Sequence, residues 1–186
     1  MLSMAVAAAL LPFLPLLPAQ ILLNNFLYDV SQLTIPTDNV DASWVARSRK
    51  WDTAMIQRFM FGLGPISSLY DFLTFGVMLW IFQAGPELFR AGWFIESLAT
   101  QTLVIFVIRT AGNPFKSRPS RPLLATVIGG VLAGLVVVVS PLGGLLGFVA
   151  LPPLFFVVLV LMIVTYLGLV QVLKRRFYAA SGWLPA

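Results

Sequence analysis

The stretch ILLNNFLYDVSQ, Ile21–Gln32, decides how this chain is read. It lies in an apolar tract with no lysine or arginine before Arg47, yet it carries Asn24, Asn25, Asp29 and Gln32. On a helix turning about 100° per residue, Asn25, Tyr28, Asp29 and Gln32 follow at i, i+3, i+4 and i+7. They form one stripe, with Asn24 to its side. An aspartate at the centre of a membrane helix costs roughly 2.5–3.5 kcal/mol on insertion scales. Such a group is tolerated where it faces a bundle interior, a partner or a cation, which marks an intramembrane ion or polar site. The helix alone leaves a second reading open, because amides in bilayers also form hydrogen-bonded seams between helices.

The composition around this stretch sets the class. Of 186 residues, 59% are hydrophobic and 10% charged, with a mean hydropathy of +0.93. An ordinary soluble domain has about 25% charged residues. The expectation is an all-α, multi-pass membrane protein. The chain has no cysteine and no histidine. Disulfides, thiolate metal sites, imidazole bases and Cys/His nucleophiles are therefore excluded. The net charge of +5 sits in three short clusters beside apolar runs. That pattern sets topology and gives no groove for nucleic acid. Met1–Gln20 lacks the basic start of a signal peptide, and Pro12, Pro15 and Pro18 follow its short apolar run.

The first apolar tract, Met1 to about Ile35, is too long for one span of about 20 residues and too short for two. The run LPFLPLLP breaks it, since proline removes a backbone donor and clashes with the preceding turn. A partial span is expected over 1–14, of which about 11 residues precede Pro12, and a full one over 19–35. At 1.5 Å per residue the first piece reaches about 17 Å, half the hydrocarbon core. Met1 is then expected near mid-membrane, as in a fragment, a re-entrant start or a start shielded by a partner. Four further spans are expected at 59–82, 92–108, 123–139 and 154–173.

Residues 36–58 form the longest polar stretch, with a short amphipathic helix expected near Thr53–Phe59 and with Trp44 and Trp51 suited to the interface. Gly62, Gly64 and Pro65 permit a kink or a close helix contact in the third span. Asp71 lies midway along that span and wants a partner. Glu96, a few residues into 92–108, is expected to reach the headgroup region. Gly130 and Gly134 give a G-x-x-x-G-like packing signal. Lys174, Arg175 and Arg176 close the last span at the interface. Placing 36–58, 109–121 and the C-terminal tail on the cytoplasmic side puts every lysine and arginine except Arg90 inside. No inverted repeat, β-barrel periodicity, phosphate-binding loop or nucleophile elbow is found.

The run LPFLPLLPAQILLNNFLYDVSQLTIPTDNVD, Leu11–Asp41, resembles the end of the fifth and the whole of the sixth transmembrane helix of P-type cation ATPases. It is most similar to their bacterial magnesium-transporting branch. GPISSLYDFLTF, GWFIESLATQTLVIFVIRT and the closing hydrophobic pair resemble helices seven to ten of the same branch. The resemblance covers nearly the whole chain. It implies that Asn25 and Asp29 are cation ligands with Asn24 and Tyr28 nearby. It implies too that the following loop, with Asp38 and Asp41, couples the ion site to a phosphorylation domain. Hard oxygen ligands suit Mg²⁺ or another divalent cation, which retains waters of its own. No covalent cofactor is implied.

The family's DKTGT, TGES and GDGxxD-type motifs do not occur in this sequence. By itself the chain is therefore not expected to be an enzyme. The implied role is the C-terminal membrane domain of a P-type cation-transporting ATPase, with Mg²⁺ as the implied cation, in the cell inner (plasma) membrane. Its partners are then the lipid bilayer and the remaining ATPase helices and cytoplasmic domains, or further copies of itself. The alternative is a small stand-alone membrane protein derived from that domain, acting as scaffold, regulator or assembly partner. A passive cation channel or carrier built around Asp29 is disfavoured, because one half-site in five spans gives no defined pore.

Overall fold

The computed structural model describes residues 2–39, 53–110 and 112–180, which are helices joined by turns. Helix α1 is Leu2–Leu10, and α2, Pro18–Gln32, begins with proline in its first turn, where the missing N–H costs nothing. A 3₁₀ turn at Ile35–Thr37 follows. Helix α3, Thr53–Gly76, continues through a π-helical turn at Val77–Ile81. Then come α4 (Pro86–Ile108), α5 (Arg121–Val139), the short α6 (Pro141–Leu145) and α7 (Pro153–Ala180). Among the described residues four stretches are long and apolar enough to cross a membrane: Gln57–Ile81, Pro86–Ile108, Arg121–Val139 and Pro153–Ala179.

Helix α2, with 15 residues, extends only about 22 Å at 1.5 Å per residue. It packs along α5. At one end Gln20 Nε2 donates to the Leu146 carbonyl, and at the other the Thr34 and Thr126 hydroxyls share a hydrogen bond of 2.6 Å. Gly130 of α5 makes this approach possible, since a Cβ there would strike the Ser31 hydroxyl, and Gly134 opens the neighbouring contact with α4, where a Cβ would strike Leu98. The G-x-x-x-G-like signal thus marks a real seam. Gly62 and Gly64 are different, for a Cβ on either meets nothing within 4 Å among the described residues.

Helix α4 packs against α2, α3, α5 and α7. Residues 91–100 are buried without interruption. Phe75 stands edge-on to Trp93 with ring centroids 4.8 Å apart, and Phe94 meets Phe148 at 4.8 Å. Gly92 makes room for Met78 and Phe155.

The ends of the helices are tied together. At one end Arg90 Nε donates to the Leu14 carbonyl. At the other, Arg109 Nε donates to Asp38 Oδ2 at 2.6 Å, and Asp38 Oδ1 accepts the Ser120 N–H at 2.9 Å. Lys174 belongs to the same end, where its buried ammonium donates to the carbonyls of Val107, Thr110 and Gly112 at 2.8–3.1 Å. It satisfies the C-terminal end of α4, where a positive charge is favoured. The last span therefore does not stop at Lys174, since α7 runs on to Ala180. The expected amphipathic helix near Thr53 is the first turn of α3, whereas Asp41, Trp44 and Trp51 lie outside the described residues.

Desolvation pushes the Asp38 carboxyl up, but the hydrogen bonds and charge of Arg109 with the N–H groups of Ser120 and Asn39 outweigh it. The group titrates below its ordinary value of 3.8. A depressed folded-state value stabilises fully above the unfolded value and is lost as pH falls through the folded one. Asp38→Asn should therefore lower the melting temperature in detergent more at pH 7 than at pH 3; equal losses would contradict the ion pair. Gly130→Val should destabilise by about 1–3 kcal/mol through overpacking. Gly129→Ala, with nothing within 4 Å of the new Cβ, should be nearly neutral in the same melt.

Candidate functional site

Helix α2 presents two chemically different faces. Gln20, Asn24, Leu27 and Ser31 recur three or four residues apart and are buried against the bundle. Gln20 accepts the Leu17 N–H at the start of the helix as well as donating to Leu146. Ser31 donates back to the Leu27 carbonyl at 2.7 Å. Asn24 is 7% exposed, and its Oδ1 has no hydrogen-bond partner among the described residues.

The opposite face carries Asn25 and Asp29, both exposed, with Tyr28 and Gln32 half-buried at its border. Leu22 and Phe26 share the exposed side. The structure thus keeps Asn25 and Asp29 together, one turn apart, and sends Asn24 to the other side. Within the described residues these groups do not converge on one point. An amide and a carboxylate one turn apart offer oxygens of the kind a hard divalent cation takes, and the remaining positions would be filled by waters or other groups. Among the described residues no three acidic side chains gather into a metal-binding cluster.

Two further acids lie within the bundle. Asp71 on α3 has the partners its position demands. Its Oδ2 accepts the Ser3 hydroxyl at 2.5 Å and its Oδ1 accepts the Trp93 indole N–H at 2.8 Å, so it joins α1, α3 and α4.

Glu96 departs from the expectation that it reaches the headgroups. It is 1% exposed, in the middle of α4. The reason is the start of the helix: α4 begins at Pro86, not at Gly92, which places Glu96 about 15 Å along its axis. The Gly85–Pro86 pair, with proline opening the helix, is the sequence signal for that earlier start. Among the described residues neither Glu96 oxygen has a hydrogen-bond partner. The Thr74 and Thr100 hydroxyls stand beside the carboxyl. Each instead donates along its own helix, Thr74 to the Tyr70 carbonyl and Thr100 to the carbonyls of Glu96 and Ser97.

Asp38, expected to couple to a separate domain, is engaged inside the chain by Arg109 and Ser120. Neither Arg109 nor Lys174 stands out in the sequence, because each acts on groups distant along the chain.

Comparison with known proteins places this arrangement. The family model described as "Cation transporting ATPase, C-terminus" matches residues 13–176. The magnesium-transporting ATPase, P-type 1, of Salmonella typhimurium (strain LT2) is 44% identical over 97% of this chain and 21% of its own length. The protein of the same name from Escherichia coli (strain K12) is 43% identical over the same shares. The chain spans about a fifth of the length of the curated relatives it matches. It belongs to the family of the C-terminal region of cation-transporting ATPases.

Proposed function

We propose that this chain is the C-terminal membrane domain of a magnesium-transporting P-type ATPase. It carries part of the ion pathway and by itself does not hydrolyse ATP. One observation carries the reading: Asn25 and Asp29 stand side by side on the face of α2 that no other described helix buries. In a membrane such a pair is costly unless a cation or a polar partner meets it. Mg²⁺ is the transported substrate in this reading, and the names of the relatives favour it.

In this reading Asn25 and Asp29 supply ligand oxygens, with Tyr28 beside them. Asn24 lies on the inner face, turned away from that pair. The remaining helices and cytoplasmic domains of the ATPase cover the exposed face. The basic end of the bundle, with Arg109, Lys116, Arg118, Arg121 and Lys174, is cytoplasmic, and the membrane is the cell inner (plasma) membrane. The segment beginning at Asp38 and Asp41 lies on the coupling side.

Replacing Asp29 by asparagine in the complete transporter should abolish ATP-driven Mg²⁺ uptake into vesicles while the protein still accumulates in the membrane. Wild-type uptake would remove Asp29 from the site. Asp71→Leu should keep uptake but lower thermal stability by about 1–3 kcal/mol, the cost of stranding a buried donor. Loss of uptake at unchanged stability would assign Asp71 to the ion path instead.

A further inference from the structure

Arg109 has an unusual number of partners for a residue that closes a helix. Besides the two Asp38 oxygens, its guanidinium donates to the Asn39 carbonyl at 3.1 Å and the Arg118 carbonyl at 3.1 Å. It also reaches the Ser117 carbonyl at 3.0 Å and the Ser117 hydroxyl at 3.2 Å. The side chain is 6% exposed and that of Asp38 10%. Three helix ends meet here: the segment trailing α2, the C-terminus of α4, and the start of α5, where Ser120 caps the helix by accepting the Leu123 N–H.

Helix α2 needs this joint more than its neighbours do. Its outer face is uncovered by other described helices, so the inner seam and the two ends fix its position. Beyond Gln32 the helix gives way to a turn. From there the Thr34–Thr126 pair, the Asn39 amide on the Arg118 carbonyl and the Arg109–Asp38 pair hold the chain. Arg109 grips both sides of the joint, reaching Asp38 and Asn39 on one and Ser117 and Arg118 on the other.

We propose that Arg109 is a positioning residue that acts through Asp38 to fix the trailing end of α2, and with it the placement of Asn25 and Asp29 for a divalent cation. The proposal rests on the reading that α2 carries cation ligands. Mg²⁺ holds its ligands in near-ideal octahedral geometry, so it tolerates little displacement of a ligand helix. Lysine keeps the charge at this place but lacks the planar fork that spans several acceptors.

The test uses the complete transporter in membrane vesicles, with Mg²⁺ uptake measured against Mg²⁺ concentration and protein amount measured by immunoblot. Arg109→Gln and Asp38→Asn should each raise the half-saturating Mg²⁺ concentration about five-fold or more, a coupling of ordinary allosteric size. For Arg109→Gln the maximal rate per transporter should stay near wild type, whereas Asp38→Asn, on the coupling side, is read by its half-saturating concentration alone. Arg109→Lys should fall between, and the double variant should be no worse than the more severe single one, because both remove the same contact. An unchanged half-saturating concentration at normal protein amount overturns the proposal.

A cross-link separates position from a general loss of structure. The chain has no native cysteine, and the Thr34 and Thr126 hydroxyl oxygens are 2.6 Å apart. Oxidising Thr34→Cys with Thr126→Cys in the Arg109→Gln background should restore the half-saturating concentration. A closed cross-link without restoration overturns the positioning role. Where Arg109→Gln fails to accumulate, Arg109→Lys and Asp38→Asn carry the same measurements. Asp29→Asn, assayed in parallel, keeps the two ideas apart. Full uptake in that variant defeats the ligand reading, whereas an unshifted Arg109→Gln beside an inactive Asp29→Asn defeats only the joint.

Discussion

Hydrocarbon offers no water to a stranded amide or carbonyl, so each helix end and each enclosed polar side chain must be satisfied by the protein itself. That constraint falls hardest on α4, which is covered on four sides. Its side chains solve the packing with small residues and aromatic edges: Gly92 beneath Met78 and Phe155, and Trp93 against Phe75. Its backbone is solved at the ends. Gly85 and Pro86 open the helix, and Lys174 is brought from the last helix to satisfy the carbonyls at its close.

The remaining helices are arranged around this column. Gln20 and Arg90 fasten the chain at one end, each to a carbonyl distant in sequence, Leu146 and Leu14. Arg109 and Lys174 fasten it at the other. Buried charge is expensive unless it is paired or richly hydrogen-bonded, and both cations at that end meet the condition. Among the described residues the two Glu96 oxygens have no hydrogen-bond partner in the most enclosed part of the bundle, whereas Asp71, one helix away, has two donors. The contrast separates a carboxyl that joins helices from one whose bonding capacity is left open.

Helix α2 reverses the logic of an ordinary bundle helix. Its inner face makes local hydrogen bonds and a glycine seam with α5, while its charged residue points away. In a soluble protein an outward aspartate is unremarkable. In a membrane the same orientation demands a partner, which is why membership of a family of cation-transporting ATPases and the geometry of α2 point to one reading.

Composition, hydropathy and the positions of the basic residues determined the class, the approximate spans and the alternation of helix ends, because these depend on properties local to each segment. The spacing of Asn25, Tyr28, Asp29 and Gln32 likewise determined that they share a stripe. Periodicity gives angles about a helix axis but not which angle faces inward, and in lipid the apolar pattern does not mark the interior, since tails and core are alike. Hence only the tertiary structure decided that Asn24 and Asn25 part company, and that Glu96 is enclosed. The grips of Lys174 and Arg109 were equally hidden, for their acceptors are carbonyls and a carboxylate brought near by packing, and a backbone carbonyl has no signature in sequence.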